Sequence, residues 1–228
     1  MIEVAAVILA AMAQEMAALE ERADALGRAS LLGRANVRLA TFGGSHVLLV
    51  TCGIGLVNAA AATALAVSGC RPRAVLSAGS AGGLHAQIAV GDVVAGSSYT
   101  FGGADARMFG YALGQVPGMP ASYSGDPDLL ARAAAAGSRV RSGPVISADS
   151  FIDGSSVDRV RASFPDALST DMESAAIAQT CHLLGVPFVS VRAISDLCGP
   201  QAGAEFHIAV QDAAARSADV VLAVLSAA

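Results

Sequence analysis

The sequence predicts an α/β fold built on a mixed central sheet, and two patterns support this prediction. Along the chain, apolar runs typical of buried strands alternate with alanine-rich segments of helical periodicity. The strand-like segments 36–42 and 46–52 are separated only by Gly43-Gly44-Ser45, which is typical of a hairpin and makes these two strands antiparallel. Because the 228 residues contain no linker or internal repeat, we expect one domain over residues 1–228.

Each element is predicted from its local pattern. Segment 4–10 is continuously apolar, as expected of a strand covered on both faces, and 14–26 combines acidic and alanine faces in a helix. Further strands are predicted at 36–42, 46–52, 73–79, 139–148 and 186–194, and further helices at 57–68, 127–136, 155–163, 173–184 and 204–225. Residues 80–83 are predicted to form a loop of small residues, and 97–125 the longest irregular region.

The composition excludes several classes of protein. Hydrophobic residues make up 54% of the chain and charged residues 14%, which excludes a disordered protein or a coiled coil. All 14 basic residues are arginine, so mechanisms that need a lysine amine are excluded. The net charge of −5 and the absence of a dense arginine cluster argue against nucleic acid and favour a small-molecule partner.

The apolar segments and the cysteines give further expectations. Segments 4–13 and 220–225 are far shorter than the roughly 20 residues of a membrane span, so no membrane partner is expected. The first residues lack the basic region of a signal peptide, and a cytoplasmic location is therefore predicted. The four cysteines lack metal-site spacing, so we expect free thiols, no metal and no cofactor.

Three carboxylates lie where a purely structural role is hardest to justify. Glu15 follows the first predicted strand, although a first-turn glutamate also suits a helix dipole. Glu173 begins an apolar helix, for which Asp171 or Ser169 could provide the cap. Asp196 follows a nine-residue apolar strand, where a buried carboxylate is costly unless it is paired or functional. Carboxylates gathered at one sheet edge would fit glycoside-type cleavage, in which positive charge develops on a sugar.

Two glycine-containing segments follow predicted strands. Gly53-x-Gly55 lacks the third glycine and the later acidic residue of a dinucleotide fingerprint, so it is interpreted as a tight turn with close helix packing. Segment 80–83 ends another strand, where small residues let backbone N–H groups approach a ligand. It is therefore predicted to form a wall of the site.

Several of these segments together carry a family resemblance. The motifs are AMAQE (11–15), CGIGLVNAA (52–60), SAGSAGG (77–83), VGDVV (90–94), the loop from 109 to 118, SADSFI (147–152), DMESAAIA (171–178) and VPFVSVRAISD (186–196). In this order and at this spacing the chain resembles the 5′-methylthioadenosine/S-adenosylhomocysteine nucleosidases over nearly its whole length. The resemblance implies the nucleoside phosphorylase fold, in which a mixed sheet is partly closed into a barrel and flanked by helices, and it implies a homodimer.

The resemblance also implies an activity and a set of residue roles. The activity is hydrolysis of the N-glycosidic bond of 5′-methylthioadenosine and S-adenosylhomocysteine, and also of 5′-deoxyadenosine, to release adenine. Asp196 would protonate adenine and Glu15 would activate the attacking water. The substrate-binding set would be Glu173 on the ribose hydroxyls, Met172 beneath the sugar, Phe151 and Ile152 at adenine, and Ser80, Ser195 and Phe206 completing the pocket. Phe109 and Pro117 would be contributed by the partner subunit around the 5′ substituent.

Two departures from the family pattern and three alternatives accompany this interpretation. The family's Glu-Glu-Glu run is Ala13-Gln14-Glu15 here, and Gly199-Pro200 predicts a different course for the loop after Asp196. Arg192 is interpreted as a structural ion-pair partner rather than a substrate ligand.

The alternatives are a nucleoside phosphorylase, a futalosine-type nucleosidase of the same fold and a catalytically silent nucleoside-binding protein. A phosphorylase needs cationic or amide ligands for phosphate, and Glu15 would repel that anion.

Overall fold

The computed structural model describes residues 2–226, apart from the side chains of His207 and Ile208. Its eleven strands form one sheet. The strands are β1 (Ile2–Ala10), β2 (Ala25–Leu26), β3 (Ser30–Leu32), β4 (Ala35–Phe42), β5 (Ser45–Thr51), β6 (Cys70–Gly83), β7 (Val93–Phe101), β8 (Tyr123–Ser124), β9 (Val140–Ser147), β10 (Ser169–Asp171) and β11 (Phe188–Asp196). The helices are α1 (Ala13–Glu20), α2 (Leu56–Gly69), α3 (Pro127–Ala135), α4 (Val157–Ser163), α5 (Ser174–Leu184) and α6 (Ala202–Ser226).

The sheet is mixed, as predicted, and one part of it closes into a barrel. β1 runs parallel to both β5 and β6, and β11 runs parallel to β6, whereas β4 and β5 form the predicted antiparallel hairpin. The order β10-β9-β7-β11-β6 returns on itself because β10 also pairs with the end of β6. The carboxyl ends of β1, β6 and β11 therefore meet at one edge, which the short strand β10 crosses in the antiparallel direction.

Helices cover both faces of the sheet, which explains why β1 is continuously apolar. Its alternate residues Ala6, Ile8 and Ala10 pack into a core that also contains residues of α1 and α6. Val7 and Leu9 point to the opposite face, into a second core with residues of α2 and α5. In the part of the chain that the structure describes, no helix combines the length and apolarity needed to cross a membrane.

The predicted helix over 14–26 is wrong in its second half. α1 ends at Glu20, and the Arg22 guanidinium donates to the Ala18 carbonyl, which closes the last turn. The chain then becomes extended, because the backbone of 24–27 pairs with β4 through Asp24 N–Thr41 O and Gly27 N–Leu39 O. This pairing is non-local, so the helical pattern of the sequence did not reveal it.

Two other predicted boundaries are wrong, both around the barrel. Residues 80–83, expected as a loop, continue β6, and Gly82 and Gly83 pair with Thr170 and Ser169 of β10. The predicted irregular region 97–125 begins later, because β7 extends to Phe101 and β8 pairs with it at Tyr99. In each case a strand is stabilised by a distant neighbour although its sequence is rich in glycine and serine.

Tyr99 fixes an irregularity in the barrel wall. The β7–β9 register shifts between Gly96 and Ser98, and the fully buried Tyr99 hydroxyl donates to the Gly96 carbonyl at 2.8 Å. The same hydroxyl accepts from the Ser190 N–H of β11 at 2.7 Å. One side chain therefore satisfies two buried backbone groups where the regular ladder is interrupted.

Tyr99→Phe should destabilise the fold, because it leaves the Gly96 carbonyl and the Ser190 N–H without this partner. The expected loss is about 1–3 kcal/mol in the free energy of unfolding, measured by urea titration. Tyr111→Phe, which alters a half-buried tyrosine in the loop, is the matched control and should change it by less. Equal stability of wild type and Tyr99→Phe would contradict the role assigned to the hydroxyl.

Candidate active site

A cavity that is partly open to solvent lies at the edge where β1, β6 and β11 end. This is the position at which open α/β sheets bind ligands. Nine of the eleven residues proposed from the sequence line it: Glu15, Ser80, Phe151, Ile152, Met172, Glu173, Ser195, Asp196 and Phe206. The structure thus brings together residues that are separated by up to 191 positions in the chain.

Glu15 lies in the first turn of α1 and is 2% exposed. Its Oε2 accepts hydrogen bonds from the N–H groups of Ala11 and Met12, both at 3.1 Å, so the side chain also caps its own helix. Its Oε1 accepts from the N–H of Ser80 at 2.8 Å and from the Ser80 hydroxyl at 2.9 Å. Four donors from two elements therefore hold this carboxylate in one orientation at the cavity wall.

Gly79 lets charged groups approach the strand that carries Ser80. A Cβ atom built at Gly79 would lie 2.6 Å from Arg192 Nη1 and 2.6 Å from Glu15 Oε1. Neither atom can withdraw freely, since both belong to buried, bonded side chains. Glycine is therefore required here by the close approach of a guanidinium and a carboxylate to the backbone.

Arg192 is the centre of a buried ion-pair cluster. It is 1% exposed, and its Nη2 lies 3.3 Å from Glu173 Oε2 and donates to the Ser77 hydroxyl at 2.9 Å. Its Nε lies 3.2 Å from Asp171 Oδ2 without a hydrogen-bond geometry, so that contact is purely electrostatic. Burial opposes the charge, but the two carboxylates outweigh it and raise the pKa of Arg192 above its usual range. The ion pairing expected for Arg192 is confirmed.

Asp171 connects this cluster to α5. Its Oδ1 accepts from the N–H groups of Glu173 at 3.2 Å and Ser174 at 3.1 Å, and its Oδ2 bonds the Ser174 hydroxyl. The N-cap position itself is Glu173, whose side chain makes no capping hydrogen bond. Of the two expected caps, Asp171 bonds the start of the helix from two residues before the N-cap, whereas the Ser169 hydroxyl has no hydrogen-bond partner among the described residues. The Ser147 hydroxyl, at the end of β9, also donates to Asp171 Oδ1. Asp171 was not among the predicted site residues, although it lines the cavity.

Glu173 faces the cavity from the start of α5. Its Oε1 accepts from the N–H of Gly55, the residue before α2, at 3.0 Å, so the glycine turn does more than pack a helix. Burial raises the pKa of Glu173 to about 7, against the opposing attraction of Arg192. The carboxyl group can therefore change its charge near neutral pH.

Asp196 is the last residue of β11 and is 2% exposed. Its Oδ2 accepts from the Ser195 hydroxyl and its Oδ1 from the Cys198 N–H, both at 2.9 Å. Cys198 has a positive φ of 56°, an uncommon conformation for a residue with a side chain. Burial raises the pKa of Asp196, while these two hydrogen bonds oppose the rise. A carboxyl group with this shift is suited to act as an acid.

An apolar wall completes the cavity. The rings of Phe151 and Phe206 meet edge to face, with centroids 6.3 Å apart, and Phe151 is half exposed at the mouth. Met172, Ile54 and the buried Ile152 add aliphatic surface. Such a lining suits a flat heterocycle with an apolar substituent.

Phe109 and Pro117 do not reach the cavity of their own chain. Both are exposed in the loop between β7 and β8, and Phe109 ends the short 3₁₀ turn Arg107–Phe109. Among the residues that the structure describes, no three His, Cys, Asp or Glu side chains gather as a metal site.

Sequence reasoning did not propose Asp171, Gly55, Thr170 or Cys198 for the site. Asp171 opens the segment DMES (171–174), which was a usable signal, but it was interpreted only as a helix cap. Gly55 contributes through its backbone N–H and Thr170 lies on a three-residue strand. Neither has a side-chain signature that could have marked it.

The titration of Glu173 should make stability depend on pH. The folded state keeps this proton up to about pH 7, whereas the unfolded chain releases it near the ordinary value of 4.5. More protons are bound to the folded state in this window, so the free energy of unfolding falls as the pH rises through it. Urea titrations of Glu173→Gln over this range should give a flatter curve than wild type, with the raised pKa of Asp196 leaving a residual slope of the same sign. In the exposed control Glu3→Gln, the free energy of unfolding should depend on pH as it does in wild type. A wild-type dependence in Glu173→Gln would contradict the raised pKa of Glu173.

Comparison with known proteins places this geometry in a family. Residues 5–226 match the family model described as the phosphorylase superfamily. The 5′-methylthioadenosine/S-adenosylhomocysteine nucleosidase of Anoxybacillus flavithermus is 39% identical over 220 residues, 94% of each chain, and that of Chromohalobacter salexigens is 44% identical over 188 residues, 80% of each. The crystal structure of the Neisseria meningitidis nucleosidase in complex with methylthio-immucillin-A superposes with a TM-score of 0.93 at 37% identity, covering 98% of this chain and 99% of that one. The chain therefore belongs to the phosphorylase superfamily and, within it, to the 5′-methylthioadenosine/S-adenosylhomocysteine nucleosidases.

Proposed function

We propose that this cavity hydrolyses the N-glycosidic bond of 5′-methylthioadenosine and S-adenosylhomocysteine, and also of 5′-deoxyadenosine, releasing adenine and a 5-substituted ribose. The observation that carries the proposal is the gathering of Glu15, Glu173 and Asp196 around one apolar cavity. Three carboxyl groups with different partners can divide acid, base and binding roles among them. The relatives that carry this activity in their names cover almost the whole chain.

Asp196 acts as the acid for the leaving group. As the C1′–N9 bond breaks, its electron pair moves into adenine, and the base leaves as a neutral molecule only if a ring nitrogen gains a proton. Asp196 holds a proton more readily than an ordinary aspartate because its pKa is raised by burial. The Ser195 hydroxyl and the Cys198 N–H orient the carboxyl oxygens and stabilise the carboxylate that remains after transfer.

Glu15 acts on the attacking water. A water oxygen forms the new bond to C1′ while Glu15 takes one of its protons, so the atoms and charges of the hydrolysis balance. The four hydrogen bonds to Glu15 preorganise its carboxylate for this step. Its negative charge also stabilises the oxocarbenium-like ribosyl group that develops as adenine leaves.

Glu173, Met172 and the aromatic pair hold the substrate. A carboxylate with a fixed orientation can accept hydrogen bonds from both ribose hydroxyls, and Gly55 and Arg192 fix that of Glu173. Met172 lies beneath the sugar, and Phe151, Ile152 and Phe206 enclose the adenine ring. Ser80 serves the site through its two hydrogen bonds to Glu15.

A phosphorylase is the nearest alternative and is less well supported. Among the described residues lining the cavity, Arg192 supplies the cationic side chain, and Asp171 and Glu173 already neutralise it. The N–H and hydroxyl of Ser80, which could otherwise bind an anion, are bonded to Glu15. A phosphate dianion would therefore meet several acidic side chains and little free positive charge.

Adenine release from 5′-methylthioadenosine should proceed in phosphate-free buffer, with no sugar 1-phosphate formed when phosphate is added. Asp196→Asn should reduce turnover by about 100-fold or more, as expected for the loss of a general acid, while ligand binding largely survives. Asp158→Asn, an exposed change on α4, is the control.

Release that requires phosphate would make the protein a phosphorylase. Unchanged turnover in Asp196→Asn would remove the acid role. No adenine release in either buffer would contradict the proposal and favour the futalosine-type or non-catalytic alternatives.

We also infer that the single domain of residues 1–228 works as a homodimer. Large apolar side chains are exposed on α2 and α5, which pack against each other, and also in the loop: Val57, Leu65, Leu183, Leu184, Met108 and Phe109. Val57 is 77% and Met108 85% exposed, which favours a covering partner. Phe109 and Pro117 would then be supplied to the partner's cavity. The cytoplasmic location stays a prediction.

Sedimentation should show a dimer for the wild type. Val57→Arg should shift the protein towards a monomer of reduced activity, because it adds a charge to the apolar surface. Ile2→Arg changes an exposed apolar residue on β1 that is not among these side chains, and it should leave the dimer intact. A fully active wild-type monomer would refute the shared-site arrangement.

A further inference from the structure

Ser217 is a fully buried serine on α6, outside the cavity lining. Its hydroxyl accepts a hydrogen bond from the Gly79 N–H at 2.9 Å and donates one to the Val191 carbonyl at 2.8 Å. Gly79 belongs to β6, which carries Ser80 to the site, and Val191 belongs to β11, which carries Asp196. One hydroxyl therefore links both strands to the helix behind them.

The Gly79 N–H faces β11 rather than β1. Four residues earlier on β6, Val75 donates its N–H to the Pro187 carbonyl just before β11, and alternate residues of a strand bond the same neighbour. In a regular ladder the Gly79 N–H would therefore donate to the Val191 carbonyl. The Ser217 hydroxyl lies between these two groups and bonds both. A buried backbone N–H without a partner costs free energy comparable to a lost hydrogen bond, so Ser217 replaces an interrupted bond of the ladder.

Movement of the Gly79 peptide would displace the groups that hold Glu15, the residue proposed to activate the attacking water. The next residue, Ser80, gives two hydrogen bonds to Glu15 Oε1. On the other face, the missing Cβ of Gly79 is the space into which Arg192 Nη1 and Glu15 Oε1 fit. Val191, the second partner of Ser217, directly precedes Arg192. Both chains of contacts from Ser217 therefore end at the same pair of charged groups.

We propose that Ser217 is a positioning residue for hydrolysis, which sets the place of Glu15 through the Gly79–Ser80 backbone and that of Arg192 through Val191. The inference rests on the proposed function. Ser217 does not contact the cavity, so it acts only through other residues. It should affect the attack of water more than the binding of adenine, whose proposed contacts Phe151, Ile152 and Asp196 lie elsewhere.

The test compares Ser217→Ala with Ser190→Ala. Ser190 is a matched control, since it is equally buried on β11 and its hydroxyl has no hydrogen-bond partner among the described residues. In Ser217→Ala, kcat for adenine release should fall about tenfold or more, because small displacements of catalytic groups cost this much. The dissociation constant for adenine, measured by calorimetry, should stay within about twofold. Ser190→Ala should resemble wild type in both.

A double-mutant cycle identifies the route of the effect. If Ser217 acts through Glu15, the residual rate of Glu15→Gln should fall much less when Ser217→Ala is added than the wild-type rate does. The same fractional loss in both backgrounds would overturn the inference. So would a kcat for Ser217→Ala equal to that of Ser190→Ala, or a parallel loss of adenine affinity and kcat, which indicates general damage. A wild-type chain that releases no adenine would overturn the proposed function itself, and this inference with it.

Discussion

The structure of the site depends on one buried interaction, the pairing of Arg192 with Asp171 and Glu173. An arginine that is 1% exposed is stable only when its charge is neutralised, because desolvation of an ion costs several kcal/mol or more. Removing either carboxylate would leave an uncompensated charge in the core. Glu15 and Gly79 pack closely against this ion-pair cluster, so the position of the cluster restricts theirs.

Closure of the barrel brings the residues of this ion-pair cluster together. Arg192 is carried by β11, whereas Asp171 lies on β10, and these two strands are not neighbours in the sheet. The antiparallel pairing of Thr170 with Gly82 brings the end of β10 across the carboxyl end of β6. Asp171 then bonds the N–H groups of Glu173 and Ser174, where α5 begins, and so helps to place Glu173. A short strand with little intrinsic preference thus determines the position of two carboxylates.

The local surroundings give the carboxyl groups different properties although all are buried. Glu15 is held by four donors, two from the segment just before α1 and two from Ser80, which fixes its direction. Asp196 has two donors, and burial raises its pKa. Glu173 has the Gly55 N–H and Arg192, yet burial raises its pKa to about 7. Separate environments allow chemically similar side chains to take separate parts in one reaction.

The sequence by itself determined the α/β class, the hairpin of β4 and β5, most helices and the chemical type of the site. Apolar periodicity is local information, and Glu15 and Asp196 could be located because each follows a predicted strand. Only the tertiary structure decided that α1 stops at Glu20, that residues 80–83 extend β6, and that Asp171 and Gly55 join the site. These features rest on pairing between distant segments and on backbone N–H groups, which leave no pattern in neighbouring residues.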